Sequence, residues 1–594
     1  MKSSSIFRDR VRRIPGLLLA GIAGVCLASS AFALDPAKDI SQYVHDRWEA
    51  NKGFVGGAVF AICQSPDGYL WIGTERGLVR FDGFEFTLIQ QPISGSPPIG
   101  SVYGLVADVE GNMWIRPDGS HLLLYRNGKF ENAMTRFGLH EIAFTAMSLD
   151  REGELLLWGP QNRLLRFRNG EMRPYVIWPD IPGIVISIAE APGGKIWMGT
   201  RDVGLFQIDK GRTSDMPGRF ALASINALLP ASAGGLSVGT DAGLEFLDER
   251  GIARPEPSPF TSRLQILALT RDREGNAWVG AGGGLIRIAP TGGVSTDLAD
   301  LKPGSEHKSD EQVTSIYEDR DGDIWFGGPH GIERLRDGMF TGYSSGQGLP
   351  AENAGPIYTD SDGRTWFAPV SGGLYWLKNR RVGRIAIDGI DKDVVYSIDG
   401  GDGEIWLGRQ HGGLTLLTRS GDSFAAHTYT QADGLAQNSV YAVHRNRDGA
   451  VWAGTVSAGI SRLRNGVFTN YSVANGLESS AVFSIAEGYD GTMWFATPGG
   501  LEAFAEGRWK NYSITDGLPS SNVRSIFEDS KHVLWIATSS GLALFASGAI
   551  AVPTSLTNAL REEILGIAED KQGSLWIATS DHVLQVSRDR LLAG

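Results

Sequence analysis

The chain has 594 residues, a formal net charge of −12, 42% hydrophobic and 21% charged residues. That balance excludes a disordered polyelectrolyte and a membrane-embedded bundle, and the acidity argues against a nucleic-acid partner, whose footprint would be a basic stripe. Its 78 glycines and 16 tryptophans, without the strict period of collagen, call for many turns and many aromatic anchors, as in an all-β protein.

Residues 1–33 read as an export signal: Arg8, Arg10, Arg12 and Arg13 precede an apolar run from Ile14, and Ala31-Phe32-Ala33 forms a small-x-small cleavage site. The expected compartment is the periplasm, with inner-membrane anchoring as the alternative if the segment stays uncleaved. Of the two cysteines, Cys26 lies inside this signal, so Cys63 stands alone afterwards and no intrachain disulfide is expected. Further along, QYVHDRWEANKG at 42–53 matches outer-strand segments such as NYSVANGL at 470–477. It is either a strand that completes a blade built elsewhere or the sign of a strand beyond Gly594.

The dominant signal is repetition. The string DGYLWIGTERGLVRFDG at 67–83 returns as DGDIWFGGPHGIERLRDG at 321–338, DGAVWAGTVSAGISRLRNG at 448–466 and DGTMWFATPGGLEAF at 490–504. Tryptophans 71, 114, 197, 278, 325, 366, 406, 452, 494, 535 and 576 are spaced 40 to 47 residues apart, except for two doubled gaps. These gaps hide copies with Leu156 and Ser237 in the tryptophan slot, giving thirteen repeats. Each copy predicts four strands: an alternating apolar segment such as 313–317, an Asp-Gly turn, a second strand around the tryptophan, a third at 332–335 and an outer one at 340–343. Four strands in about 42 residues make a propeller blade, and thirteen blades exceed the 4 to 8 of one ring. The expected fold is therefore all-β, two tandem β-propellers of about seven blades each. The charged Pro/Gly/Ser stretch at 297–312 marks the expected boundary, with a first propeller over 34–300 and a second over 301–594.

These repeats, together with joints such as DGLPSSNV at 516–523 and the opening YVHDRWEANKGF at 43–54, resemble the regulator-propeller repeats of bacterial two-component sensors. The resemblance implies two seven-bladed propellers that sense a ligand in the periplasm and lead to a histidine kinase or diguanylate cyclase. Only thirteen repeats are readable here, and no H-box-like segment, nucleotide-binding glycine loop or GGDEF-type string occurs in this chain.

The Asp-rich turns, such as 319–323, read as structural turns rather than calcium loops, because other copies place Gly193-Gly194-Lys195 and Lys531-His532-Val533 in the same slot. No motif calls for a metal or cofactor. Catalytic strings such as G-x-S-x-G and H-E-x-x-H are missing, so no catalysis is expected. The alternative is an exported lyase or glycosidase acting on a polysaccharide, whose carboxylates would meet only in space. Binding residues are expected on the rims. Arg76, Arg116, Arg201, His330, Arg409 and His411 would face a mouth and clamp an anionic group, and Trp376 would offer a sugar-stacking face. The expected partner is an extracellular oligosaccharide or peptide, with a homodimer or a separate membrane sensor receiving the signal.

Overall fold

Why each repeat folds as it does is visible around its tryptophan. In the Trp535 repeat, Asp529 Oδ1 accepts the backbone N–H groups of Lys531 (2.8 Å) and Val533 (3.0 Å), which closes the turn between the first and second strands. Its Oδ2 accepts the indole N–H of Trp535 at 2.8 Å. One carboxylate thus fixes the turn and aims the ring. The same six-residue spacing joins Asp108 to Trp114, Asp272 to Trp278, Asp319 to Trp325, Asp360 to Trp366 and Asp570 to Trp576, while Ser65 Oγ serves Trp71. The carboxylates expected to be turn-formers are therefore engaged in the turn itself.

The structure is a computed structural model that describes residues 34–593 apart from 120, 140–142, 160–162, 176, 178, 217, 219, 232–233, 255–260, 262–263, 297–310, 345–346, 350–353, 421–422 and 554–557. The export signal expected at 1–33 lies outside the described residues. Among those described, thirteen antiparallel sheets form, twelve of four strands and one, in the Trp576 repeat, of three. The protein is all-β and built of propeller blades. Ten repeat tryptophans are buried, as are Leu156 and Ser237 in the degenerate slots. Trp576, in the three-stranded last sheet, is half-buried. The third strand opens on a glycine for a steric reason: at Gly331, φ is 140° and a Cβ would stand 2.2 Å from Trp48 O.

The chain divides into compact units Met1–Gly342 and Tyr343–Gly594. This differs from the boundary expected at 297–312, most of which lies outside the described residues. Strand pairing supplies the reason. Val44–Glu49 pairs antiparallel with Gly331–Arg336, so the Trp325 sheet is completed by the start of the chain. The outer strand expected at 340–343 does not form; Met339 and Phe340 are exposed instead.

In the first unit seven sheets follow one another, and the innermost strand Val59–Gln64 meets Ser315–Glu318, which closes the ring. The closing strand is held by stacking of Trp48 on Trp325 (ring centroids 5.5 Å apart) and by Asp46, which pairs with Arg334 and Arg336 at 2.7 Å. Glu333 accepts from His45 at 2.5 Å and Arg47 at 3.0 Å. Burial pushes the Glu333 carboxyl up, but these two partners outweigh it and hold it below the usual range. Neighbouring blades are also tied at their turns: Gln64 accepts Arg320 N–H at 2.9 Å and Glu318 accepts Arg273 N–H at 3.0 Å.

In the second unit six sheets follow one another from Ala354–Thr359 to Ile564–Glu569 as innermost strands. The turn ties recur, with Glu487, Glu528 and Glu569 accepting the N–H groups of Arg447, Tyr489 and Ser530. Cys63 is buried and unpaired in the first unit, and burial pushes its thiol up to about 12.

Candidate functional site at the propeller mouth

Most innermost strands carry the same irregularity one residue after their first buried aliphatic. Pairing shifts between Val59 and Ala61, Val102 and Gly104, Val395 and Ser397, Val440 and Ala442, and Val523 and Ser525. The intervening residue is a β-bulge, which re-aims one side chain away from the ladder. Because innermost strands of successive blades stand side by side, these side chains meet their counterparts at one level. The bulge lies at the end where Val395 pairs with Arg409, so this level is the mouth bounded by the second-to-third loops.

In the second unit the level is an aromatic arc. Tyr396 stacks on Tyr441 at 5.0 Å, Tyr441 leans on Phe483 at 5.5 Å, and the Arg524 guanidinium lies 5.7 Å from the Phe483 ring centroid. Arg524 is fixed in turn by Glu563, with Nε donating to Oε1 at 2.9 Å. Tyr441 is 38% exposed, and the last innermost strand adds exposed Leu565 in the same bulge position. Burial, then the adjoining Tyr441, pushes the Tyr396 phenol up against a hydrogen bond from Gln410, so it stays neutral near pH 7. The arc thus presents flat apolar faces, phenol hydroxyls and a single ion pair. Such a surface packs on the apolar face of a ring and hydrogen-bonds at its edge.

The first unit repeats the arrangement with Phe60 stacked on Tyr103 at 4.9 Å. Here Arg116 belongs to the mouth, although as part of the second strand Met113–Pro117 rather than of a loop. Its guanidinium donates to Tyr103 O (3.3 Å) and Phe144 O (3.4 Å), and burial holds its pKa down.

The remaining candidates are placed as follows. Arg76 and Arg201 are exposed on second-to-third loops of two separate blades of the first unit, and His330 is exposed on that of a third. Arg409 is not a solvent-facing fork. It is 5% exposed, with Nε on Asp393 Oδ2 at 3.1 Å, Nη1 on Thr415 Oγ1 at 3.1 Å and Nη2 on Gly389 O. Asp393 also accepts the N–H of Gly412 and meets the exposed His411 ring at 3.3 Å, so Arg409 and His411 come together on one carboxylate. Between them it is Gln410 that reaches the arc. Trp376 is half-buried beside Arg364, whose guanidinium lies 4.9 Å from its ring, and packs into the core of its blade. The sequence reading missed the arc itself. Its signal is the aromatic after a valine in Val59-Phe60, Val102-Tyr103, Val395-Tyr396, Val440-Tyr441 and Val482-Phe483.

Among the described residues no group of acidic, histidine or cysteine side chains is arranged to hold a metal ion, and no helix is long and apolar enough to cross a membrane.

A family model described as two component regulator propeller matches residues 53–76, 307–330, 517–540 and 561–581. No curated protein matches the chain. Among solved structures, the extracellular domain of a putative hybrid two component system from B. thetaiotaomicron is similar with a TM-score of 0.54 at 17% identity, over 93% of this chain and 84% of that one. A second such domain from the same organism, described as a putative one component system, gives a TM-score of 0.40 at 18% identity over 93% and 78%. A catalytically inactive virginiamycin B lyase from Staphylococcus aureus gives 0.40 at 15% identity, over 49% of this chain and 99% of the lyase. At these identities the likeness speaks for the fold.

Proposed function

From a chain that carries two-component regulator propeller repeats, we propose an extracytoplasmic sensing region of a bacterial signal-transduction receptor, in which a small ligand is held at the mouth of the second propeller. The observation that carries this reading is the arc Tyr396–Tyr441–Phe483, whose rings are aligned across three blades and reachable from solvent at the loop-bearing end. Aromatic faces with phenol edges favour the ring of a saccharide or of a peptide side chain. Neutral Tyr396 and a paired Arg524 supply no acid/base couple, so the mouth binds without turnover. Export to the periplasm, supported by the leader at 1–33, places it where such ligands occur. Transmission runs through a homodimer or a membrane partner to a kinase or cyclase output.

The test is a thermal-shift screen of the whole chain against oligosaccharides and short peptides, followed by titration of any hit against Tyr441→Ala. Loss of at least about tenfold in affinity, equivalent to 1.4 kcal/mol, supports the site. Unchanged affinity refutes the placement, and release of a cleaved product refutes the non-catalytic reading.

A further inference from the structure

At the opposite end of the blades, the turn end, five repeats lack the carboxylate six residues upstream of the tryptophan: Ser65 stands there before Trp71, Ala191 before Trp197, Gly400 before Trp406, Asn446 before Trp452 and Gly488 before Trp494. Trp494 is 6% exposed, and its Nε1–H makes no hydrogen bond among the described residues, the nitrogen keeping contact with solvent, unlike the sealed Nε1 of Trp452. A Cβ on Gly488 would stand 3.1 Å from that nitrogen, 3.0 Å from Asp490 Oδ1 and 3.3 Å from Glu528 Oε2, so the indole and two carboxylates border the space that an aspartate fills in the sister blades. The space opens into a groove of about 990 Å³ between this blade and the next, lined by Tyr489, Trp494, Lys510, Tyr512, Lys531 and Phe545 among others. The Trp197 repeat behaves alike: Ala191 occupies its slot, and a groove of about 370 Å³ lies there.

The charges in the larger groove indicate what completes it. Arg508 and Lys510 alternate along the outer strand, on the side that also carries Tyr512, and Lys531 comes from the facing turn; none of the three is in an ion pair among the described residues. The groove's two carboxylates are already engaged. Asp490 Oδ1 accepts Thr492 N–H at 3.0 Å, and Glu528 accepts Tyr489 N–H at 3.0 Å and meets His532 at 3.3 Å. A carboxylate beside such a glutamate is what the sister blades contain, since Asp529 sits next to a turn tied to Glu569 and Asp272 next to one tied to Glu318. Tyr489, 60% exposed, adds a flat face at the groove's edge, its ring 4.6 Å from that of His532.

We infer that this groove is a binding site, separate from the propeller mouth, for a small ring-bearing monocarboxylate whose carboxylate takes the place of the missing aspartate, accepting the Trp494 N–H and pairing with Lys531 and Lys510. The ring lies along Tyr489 and Phe545. An aryl carboxylate and a uronate share this chemistry, and the test separates them.

Calorimetric titrations of the whole chain use sodium benzoate and sodium glucuronate, with benzamide and glucose as uncharged counterparts. At least one acid is expected to bind saturably, more weakly at high salt, while its counterpart does not; which acid binds identifies the source. Gly488→Asp supplies the carboxylate internally and is expected to weaken the acid at least about tenfold. Lys531→Ala is expected to weaken it at least about threefold and serves if Gly488→Asp does not fold. Failure of both acids to bind wild type, equal binding of acid and counterpart, or full affinity in Gly488→Asp or Lys531→Ala overturns the inference.

Discussion

Replacing Asp529 by alanine removes three hydrogen bonds at once, those from Lys531 N–H, Val533 N–H and Trp535 Nε1–H. Water reaches the two turn amides, but Trp535 is 0% exposed, so its indole N–H is left buried without an acceptor. A bond to a charged acceptor is worth about 1.5–3 kcal/mol and an orphaned buried donor costs about 1–3 kcal/mol, while removing a carboxylate that is 3% exposed refunds part of its desolvation. The net expectation is a loss of about 3 kcal/mol, or roughly 6–12 °C in melting temperature for a unit of this size. Asp529→Asn keeps an acceptor for the indole and should lose about half as much. Urea unfolding followed by tryptophan fluorescence, with calorimetry to resolve the two units, measures both. A loss below about 0.5 kcal/mol in Asp529→Ala, no larger than that of an ordinary surface substitution, would refute the role assigned to the carboxylate.

Asn446→Asp should stabilise the second unit by about 1 kcal/mol at pH 7, because Trp452 Nε1 is buried without a partner and Asn446 holds the slot six residues upstream; urea midpoints decide it. Burial, then the charge of Asp319, pushes Asp323 up to about 6, so the folded state holds a proton there that the unfolded chain has released. Stability therefore falls as pH rises from about 4 to 6, and Asp323→Asn should gain about 1 kcal/mol at pH 7, after discounting for partial exposure, and nothing at pH 4. Trp48→Ala removes the ring stacked on Trp325 and loosens the closing strand; a loss of about 3 kcal/mol confined to the first unit's transition is expected by calorimetry.

What the sequence made legible was whatever recurs locally. The period, the turn after each first strand, and even the two degenerate copies follow from short-range patterns, and Leu156 and Ser237 indeed occupy the tryptophan slot. Ring closure was not legible to the same degree. Pairing of Arg47 with Glu333 joins residues far apart in sequence, and no local propensity tells the outer strand at 44–49 from the equally strand-like 340–343 that it displaces. The rim residues show a third case. Arg409 looks like a solvated loop cation until Asp393, on the preceding inter-blade segment, is folded against it. Its charge is used up in positioning the loop. The arc at Tyr396 and Tyr441 depends on a bulge, which alternation alone does not reveal, although the aromatic after valine marks it in five copies.

The central claim, a non-catalytic ligand site at the second propeller's mouth, is met most directly by one measurement: calorimetric titration of the oligosaccharide or peptide found by thermal-shift screening into wild-type chain and into Tyr441→Ala. The account predicts saturable binding at about one site per chain with no product formed, weakened at least about tenfold in the variant as its stack with Tyr396 and its contact with Phe483 are lost. Equal affinity in the two proteins, or conversion of the ligand by either, would contradict it.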